Sequence, residues 1–115
     1  MSKQTPGGVI IEFKKQTGEG KNKPKPGDRV KIHYTGTLMN GKQFDSSRNR
    51  PDPFECQIGV GQVIKGWDEA IPELCVGDRA ILTIPPHMAY GERGFSNLIP
   101  PNSPLIFDVE LVGIQ

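Results

Sequence analysis

The sequence predicts an α+β fold, an antiparallel β-sheet of about five strands wrapped around one short α-helix. Three observations carry this reading. Several short stretches alternate apolar and polar residues with period 2; an Asn-Gly pair separates two of them; and a single stretch shows apolar residues at helical spacing. At 115 residues the chain fits one domain, and folding at this length removes roughly 65% of the extended-chain surface from water, enough for one core.

The elements follow in order. Residues 1–7 read as a frayed, flexible tail and 8–115 as the folded domain. Gly8 to Phe13 is apolar with partial alternation and forms a first strand, followed by a loop over 17–27. Val30, Ile32 and Tyr34 alternate with Lys31, His33 and Thr35, so this strand buries one face. Asn40-Gly41 is the preferred pair for a type I′ turn, which predicts a hairpin between residues 31–38 and 42–45. Pro51 and Pro53 mark a loop or edge bulge before a short strand at Phe54 to Ile58. Val63, Ile64, Trp67, Ala70, Ile71 and Leu74 are spaced by three and four; the helix they define ends near Pro72, which cannot continue the hydrogen-bond ladder. Ala80 to Ile84 and Leu105 to Val112 complete the sheet, the latter with Leu105, Phe107, Val109 and Leu111 on one face. Between them lies a long Gly/Pro segment, Pro85 to Pro104. Connections of that length are usually functional, and it reads as a lid.

Composition excludes several functions. The formal net charge is +1, so no strong field draws nucleic acid or an anionic membrane, and neither is expected as a partner. The Lys-rich stretch from Lys21 to Lys25 carries Pro24 and reads as a solvated loop. No apolar run approaches the roughly 20 residues that span a bilayer, and with no secretory h-region the reading expects a cytosolic location, the nucleus also being open to it. Cys56 and Cys75 are too few for a disulfide framework or a structural zinc, and read as reduced, buried thiols. No metal or cofactor is expected.

Acid/base and nucleophilic chemistry lack their parts. His33 and His87 are the two histidines; neither accompanies a nucleophile motif, and His33 falls on the polar face of its strand. Gly59-Val60-Gly61 is a turn without the rest of a phosphate loop. What remains is aromatic: Tyr34, Phe44, Phe54, Trp67, Tyr90 and Phe107. Any one alone reads as core. Yet Phe44, Phe54 and Tyr90 sit beside turns and polar groups, and an aromatic cleft with few polar groups is the default small-ligand site.

Four strings make the reading specific: VKIHYTGTLMNGKQFDSS from Val30, VIKGWDEAI from Val63, AYGERGF from Ala89, and IPPNSPLIFDVELVGI from Ile99. In this order and spacing they resemble the signature blocks of the FKBP-type peptidyl-prolyl cis-trans isomerases, the small proteins that bind tacrolimus and rapamycin. The resemblance covers the chain from Pro26 onward and, more loosely, the first strand. It implies a shallow pocket between helix and sheet, with Trp67 as floor and Tyr34, Phe54, Val63, Ile64 and Phe107 as walls. Phe44 and Asp45 are implied at one side, with Tyr90, Phe95 and Ile99 on the overhanging loop. Asp45, Tyr34 and Arg50 are implied as a polar cluster. The Ile64 N–H and the Tyr90 hydroxyl are implied donors to ligand carbonyls, and Asp45, Tyr90, Trp67 and Phe44 the catalytic set.

Such a site suits the rotation of an X-Pro bond, whose barrier of roughly 18–20 kcal/mol comes from amide resonance and requires no proton transfer. A twisted amide has lost part of its charge separation, so a site poor in water favours it over the planar ground state. Proline-containing peptides and proteins are the implied substrates. The resemblance also implies a drug-dependent ternary complex with calcineurin or the rapamycin target kinase. The loop that would present the drug carries Phe95, Ser96, Asn97 and Leu98 where relatives more often have His, Pro, Gly and Ile; Gln62 stands for a common glutamate, and Met88 for a common tyrosine. The alternative reading is a binding module that captures a proline-bearing loop, or the macrolides, with turnover incidental. Joint retention of Tyr34, Phe44, Asp45, Trp67, Tyr90 and Phe107 favours the enzyme, since a docking surface needs fewer.

Overall fold

A computed structural model describes residues 2–16, 22–48, 50–95 and 97–115. Part of the expected 17–27 loop, with Lys21, lies outside the described residues, as do Asn49 and Ser96. Seven strands form one antiparallel sheet: β1 (Ser2–Gln4), β2 (Ile10–Lys15), β3 (Arg29–Leu38), β4 (Gln43–Ser46), β5 (Phe54–Gln57), β6 (Arg79–Ile84) and β7 (Leu105–Ile114). Their order is β1-β2-β6-β7-β3-β4, and β5 also pairs with β3. Because β4 faces Thr35–Thr37 and β5 faces Arg29–Ile32, the two share one lane beside β3. The count of about five strands therefore describes five lanes, with β1 added at the far edge.

The period-2 pattern is realised residue by residue. Along β3, Val30, Ile32, Tyr34, Gly36 and Leu38 are buried while Lys31, His33, Thr35 and Thr37 are half-buried on the other face. Along β7, Leu105, Phe107, Val109 and Leu111 point the same way as the buried set of β3, to which they are register neighbours. Helix α1 (Lys65–Ala70) lies over this face and passes into a 3₁₀ turn, Ile71–Glu73, that accommodates Pro72 in its first positions. Gly66 permits the close approach: a Cβ there would stand 2.6 Å from Cγ2 of Ile84. Trp67, Ala70, Ile71 and Leu74 are buried, as the spacing by three and four requires.

Two expectations are corrected. Within the expected frayed tail of residues 1–7, Ser2–Gln4 form a strand that pairs with Ile10–Glu12. The turn is Thr5-Pro6-Gly7-Gly8-Val9: the Thr5 N–H donates to the Val9 carbonyl (2.9 Å), the Gly8 N–H to the Thr5 carbonyl (3.0 Å), and Gly8 has φ +96°. Proline at the second place of a tight turn and glycine at its left-handed residue supply the geometry of a three-residue hairpin loop. The turn also displaces the start of the next strand from Gly8 to Ile10. Gly7 then fastens this segment to the rest, its N–H donating to Glu69 and its carbonyl accepting from His87 Nε2 (2.8 Å).

The second correction concerns Asn40-Gly41. The hairpin forms, but not through a type I′ turn, since Gly41 has positive φ (+89°) and Asn40 does not. The Gly41 N–H donates to Leu38 O and the Leu38 N–H to Lys42 O, both 2.9 Å, which again is a three-residue loop with glycine in the left-handed position. Asn40 Oδ1 accepts from the Lys42 N–H (2.9 Å), so its side chain caps the turn instead of entering the left-handed region.

The Pro85–Pro104 segment has more structure than its composition conveys. It holds 3₁₀ turns at Pro86–Met88 and Gly91–Arg93 and a tight bridge between Phe95 and Ile99. Ile99 is buried in the core and anchors the segment to the domain. Cys56 and Cys75 are free thiols and buried, and burial pushes the Cys56 thiol up to about 11.

Candidate active site

The site forms where α1 meets β3 and β7. Trp67 is buried on the sheet-facing side of the helix, with the rings of Tyr34 (5.0 Å, 82°), Phe107 (5.2 Å, 81°) and Phe54 (6.0 Å, 76°) set nearly perpendicular to it. Phe44 meets Phe107 in the same way (5.6 Å, 87°). Edge-to-face packing places ring hydrogens against π-faces, a favoured arrangement that also fixes each ring's orientation. The rings enclose a cleft of about 270 Å³, lined by Tyr34, Phe44, Asp45, Phe54, Gln62, Val63, Ile64, Trp67, Tyr90 and Phe107. That volume lies near the lower end of ligand clefts, which run from roughly 300 Å³ upward.

Local sequence explains how each wall is held. Gly36 lies between Tyr34 and Leu38 on the buried face of β3. A Cβ there would stand 2.7 Å from Cζ of Phe44 and 2.8 Å from Cε1 of Phe107, so its absence leaves room for both rings. The 59–64 loop is drawn onto the helix by Asp68, whose Oδ1 accepts from the Gly59 N–H (2.7 Å) and Oδ2 from the Gly61 N–H (2.9 Å). Both glycines have positive φ, +80° and +81°, which a side chain would oppose. This brace sets Val63 and Ile64 at the cleft. The Ile64 N–H has no partner among the described residues, while its carbonyl opens the helix by accepting from Trp67 (3.0 Å).

Polar groups are few. The Tyr34 hydroxyl donates to Asp45 Oδ2 (2.6 Å), and Asp45 Oδ1 accepts from the Ser46 N–H (2.8 Å). Burial, then the hydrogen bond and charge of Asp45, hold the Tyr34 phenol well above the usual tyrosine range. Burial and the same carboxylate raise Tyr90. Both phenols are therefore neutral donors at physiological pH. The Trp67 indole N–H is buried with no hydrogen-bond partner among the described residues. No group of three or more His, Cys, Asp or Glu that could hold a metal occurs among the described residues.

Most of the residues proposed from sequence meet here: Tyr34, Phe44, Asp45, Phe54, Val63, Ile64, Trp67, Tyr90 and Phe107 all line one cleft. Three do not. Ile99 is withdrawn into the core at 2% exposure. Phe95 stands outside the lining, half-exposed, its ring 5.0 Å from that of Tyr90. Arg50 stays outside the lining: it donates to the Ser46 carbonyl (3.3 Å), next to Asp45, and its charge acts on the Tyr34 phenol while the hydrogen bond in the cluster is that of Tyr34 to Asp45. Two contributions were not expected from sequence, where Gln62 stood out only as a departure from a common glutamate. Gln62 lines the cleft, and Asp68 braces the loop that holds it; the glycines flanking Val60 were the available signal for such a brace.

Comparison with known proteins agrees with this geometry. Residues 20–112 match the family model described as FKBP-type peptidyl-prolyl cis-trans isomerase. A Debaryomyces hansenii protein named FK506-binding protein 1 is 68% identical over 100 residues, covering 87% of this chain and 89% of its own length. Its namesake in Candida glabrata is 61% identical over 115 residues, the whole of both chains. Among solved structures, AtFKBP13 superimposes with a TM-score of 0.87 at 43% identity, over 100% of this chain and 99% of that one. With the aromatic cleft in place and the match running through nearly all of the folded part, the chain belongs to the FKBP-type peptidyl-prolyl cis-trans isomerase family, and is an isomerase.

Proposed function

We propose that the cleft above Trp67 is where this isomerase rotates X-Pro bonds, and that FK506 (tacrolimus) and rapamycin occupy the same cleft. The observation that carries the reading is the lining itself: six aromatic side chains, three aliphatic or amide neighbours, and one carboxylate already engaged by a phenol. A proline ring set against the indole is removed from water, and the imide beside it is left among groups that solvate a charge-separated amide poorly. The planar ground state loses more from this than the twisted transition state does, and each ~1.4 kcal/mol of that difference is a tenfold gain in rate. Trp67, Phe44, Asp45 and Tyr90 act next to the rotating bond, while Tyr34, Phe54, Val63, Ile64 and Phe107 hold the flanking chain. The Ile64 N–H and the Tyr90 hydroxyl, both without partners among the described residues, are donors for substrate carbonyls.

FK506 is carried over from the names of the relatives, and rapamycin from the resemblance of the sequence blocks. The test is a protease-free peptide isomerisation assay with either macrolide titrated against Trp67 fluorescence. Saturable quenching or enhancement with parallel loss of turnover is expected; unchanged fluorescence at full inhibition would move the site elsewhere. We propose further that a drug-bound complex meets calcineurin or the rapamycin target kinase through the Phe95–Ile99 bridge. The support is the exposure of Phe95 and Leu98, 49% and 47%, beside Tyr90.

A further inference from the structure

We infer that Gln62 is a specificity-determining residue, whose side-chain amide donates a hydrogen bond to an acceptor on the residue flanking the X-Pro pair and so favours acidic over basic neighbours. The inference rests on the assignment of the cleft to the peptide. Gln62 is exposed at the rim, yet lines the cleft next to Val63 and Ile64. Its Oε1 is already committed, accepting from the Gln57 N–H at 2.9 Å. An amide has one oxygen and one nitrogen, so anchoring the oxygen on β5 turns the other arm into a pure donor. Nε2 has no partner among the described residues, and neither lysine nor arginine lines the cleft beside it. The lining's one formal charge, Asp45, has both oxygens occupied, by the Tyr34 hydroxyl and the Ser46 N–H. Gln62 is thus the lining side chain with an unengaged amide N–H, and carboxylate or carbonyl oxygens are the groups it can recognise.

The same anchor makes an informative variant. In Gln62→Glu one carboxylate oxygen can keep the bond to the Gln57 N–H while the free arm changes from donor to charged acceptor. In Gln62→Met the chain length is kept and both polar arms are lost. The experiment measures kcat/KM for two peptide sets in which Glu, Gln or Lys stands immediately before X or immediately after Pro. In at least one set the Glu-to-Lys ratio should fall about threefold to fivefold in Gln62→Glu, the size expected of a solvent-exposed charged contact. The ratio should also fall, by less, in Gln62→Met, and the Gln62→Glu effect should shrink as salt is raised. A general loss of folding or turnover leaves a ratio unmoved. Unchanged ratios in both variants overturn the inference, as does a change confined to Gln62→Glu, which would mark a field effect without a donor. The same peptides on Trp67→Leu separate the two claims. Uniform loss there with flat Gln62 ratios overturns only the role of Gln62, whereas full activity in Trp67→Leu removes the cleft assignment and this inference with it.

Discussion

The two faces of the sheet are built from the same strands and reach opposite chemistry. On the helix-covered face, Tyr34 of β3 and Phe107 of β7 stand 6.0 Å apart and surround a buried indole. One residue further along each strand, Thr35 and Asp108 face the other way and are register partners. There Arg79 grips Asp108 through Nε to Oδ1 (3.0 Å) and Nη2 to Oδ2 (2.8 Å). Arg48 joins from the opposite side, donating to Thr35 Oγ1 (2.9 Å) and the Asp108 carbonyl (3.1 Å). The open face solvates its charges and pairs them at the surface, where such pairs are worth little. The covered face opens as an aromatic box with one carboxylate, Asp45, exposed at its rim. Alternation along a strand thus lets one chain segment keep an ionic surface and a water-poor cleft a single residue apart.

This contrast can be broken at four places. Trp67→Ala should have the largest effect, since it empties the centre of the box; about 3–5 kcal/mol of stability is at stake, measurable by urea denaturation, together with FK506 affinity. Gly36→Ala comes next. Its new methyl meets Phe44 and Phe107 at 2.7–2.8 Å, so about 1–3 kcal/mol of strain is expected, with the cleft deformed and kcat/KM reduced. Asp45→Val leaves the Tyr34 hydroxyl without its acceptor and should lower turnover about tenfold, or ~1.4 kcal/mol, while costing less than that in folding stability. Equal losses in the two measurements would take Asp45 out of the site.

The smallest effect belongs to the open face. Burial alone would raise the Asp108 carboxyl, but its bonds and charge contacts with Arg79 and Arg48 outweigh that and hold it below the usual carboxylate range. Its contribution is therefore present above the unfolded value of about 3.9 and lost as pH falls through the lower folded value. Asp108→Asn should flatten the acid limb of the stability curve, change stability near neutral pH by no more than about 1 kcal/mol, and leave isomerisation untouched.

How far the sequence led differs between these regions for a physical reason. Strand faces and the helix were legible because burial repeats with a period that residues alone reveal, as Val30, Ile32 and Tyr34 show. The aromatic set was legible as six unusual residues, but their convergence needed the family's blocks to be seen in register. The turns were half legible: Asn40-Gly41 marked a hairpin, yet whether Asn40 enters the left-handed region depends on its side chain capping Lys42. Pro6-Gly7-Gly8 carried a hairpin signal that its position near the start of the chain obscured. Arg50 stays outside the lining and Ile99 sinks into the core because a motif conveys proximity along the chain, while the direction of a long side chain or the depth of a loop residue depends on packing from elsewhere. The roles of Gln62 and Asp68 were not legible because they come from hydrogen bonds across loops, to Gln57, Gly59 and Gly61.

The central claim is that prolyl rotation here needs a dry aromatic cleft and no proton transfer. The pH dependence and solvent deuterium effect on kcat/KM with a non-ionising peptide test it most directly. Neither histidine nor cysteine lines the cleft, and both its phenols are held above their ordinary range. A flat profile from about pH 6 to pH 9 is expected, with rates equal in light and heavy water. A bell-shaped profile accompanied by a slowing in heavy water would contradict it.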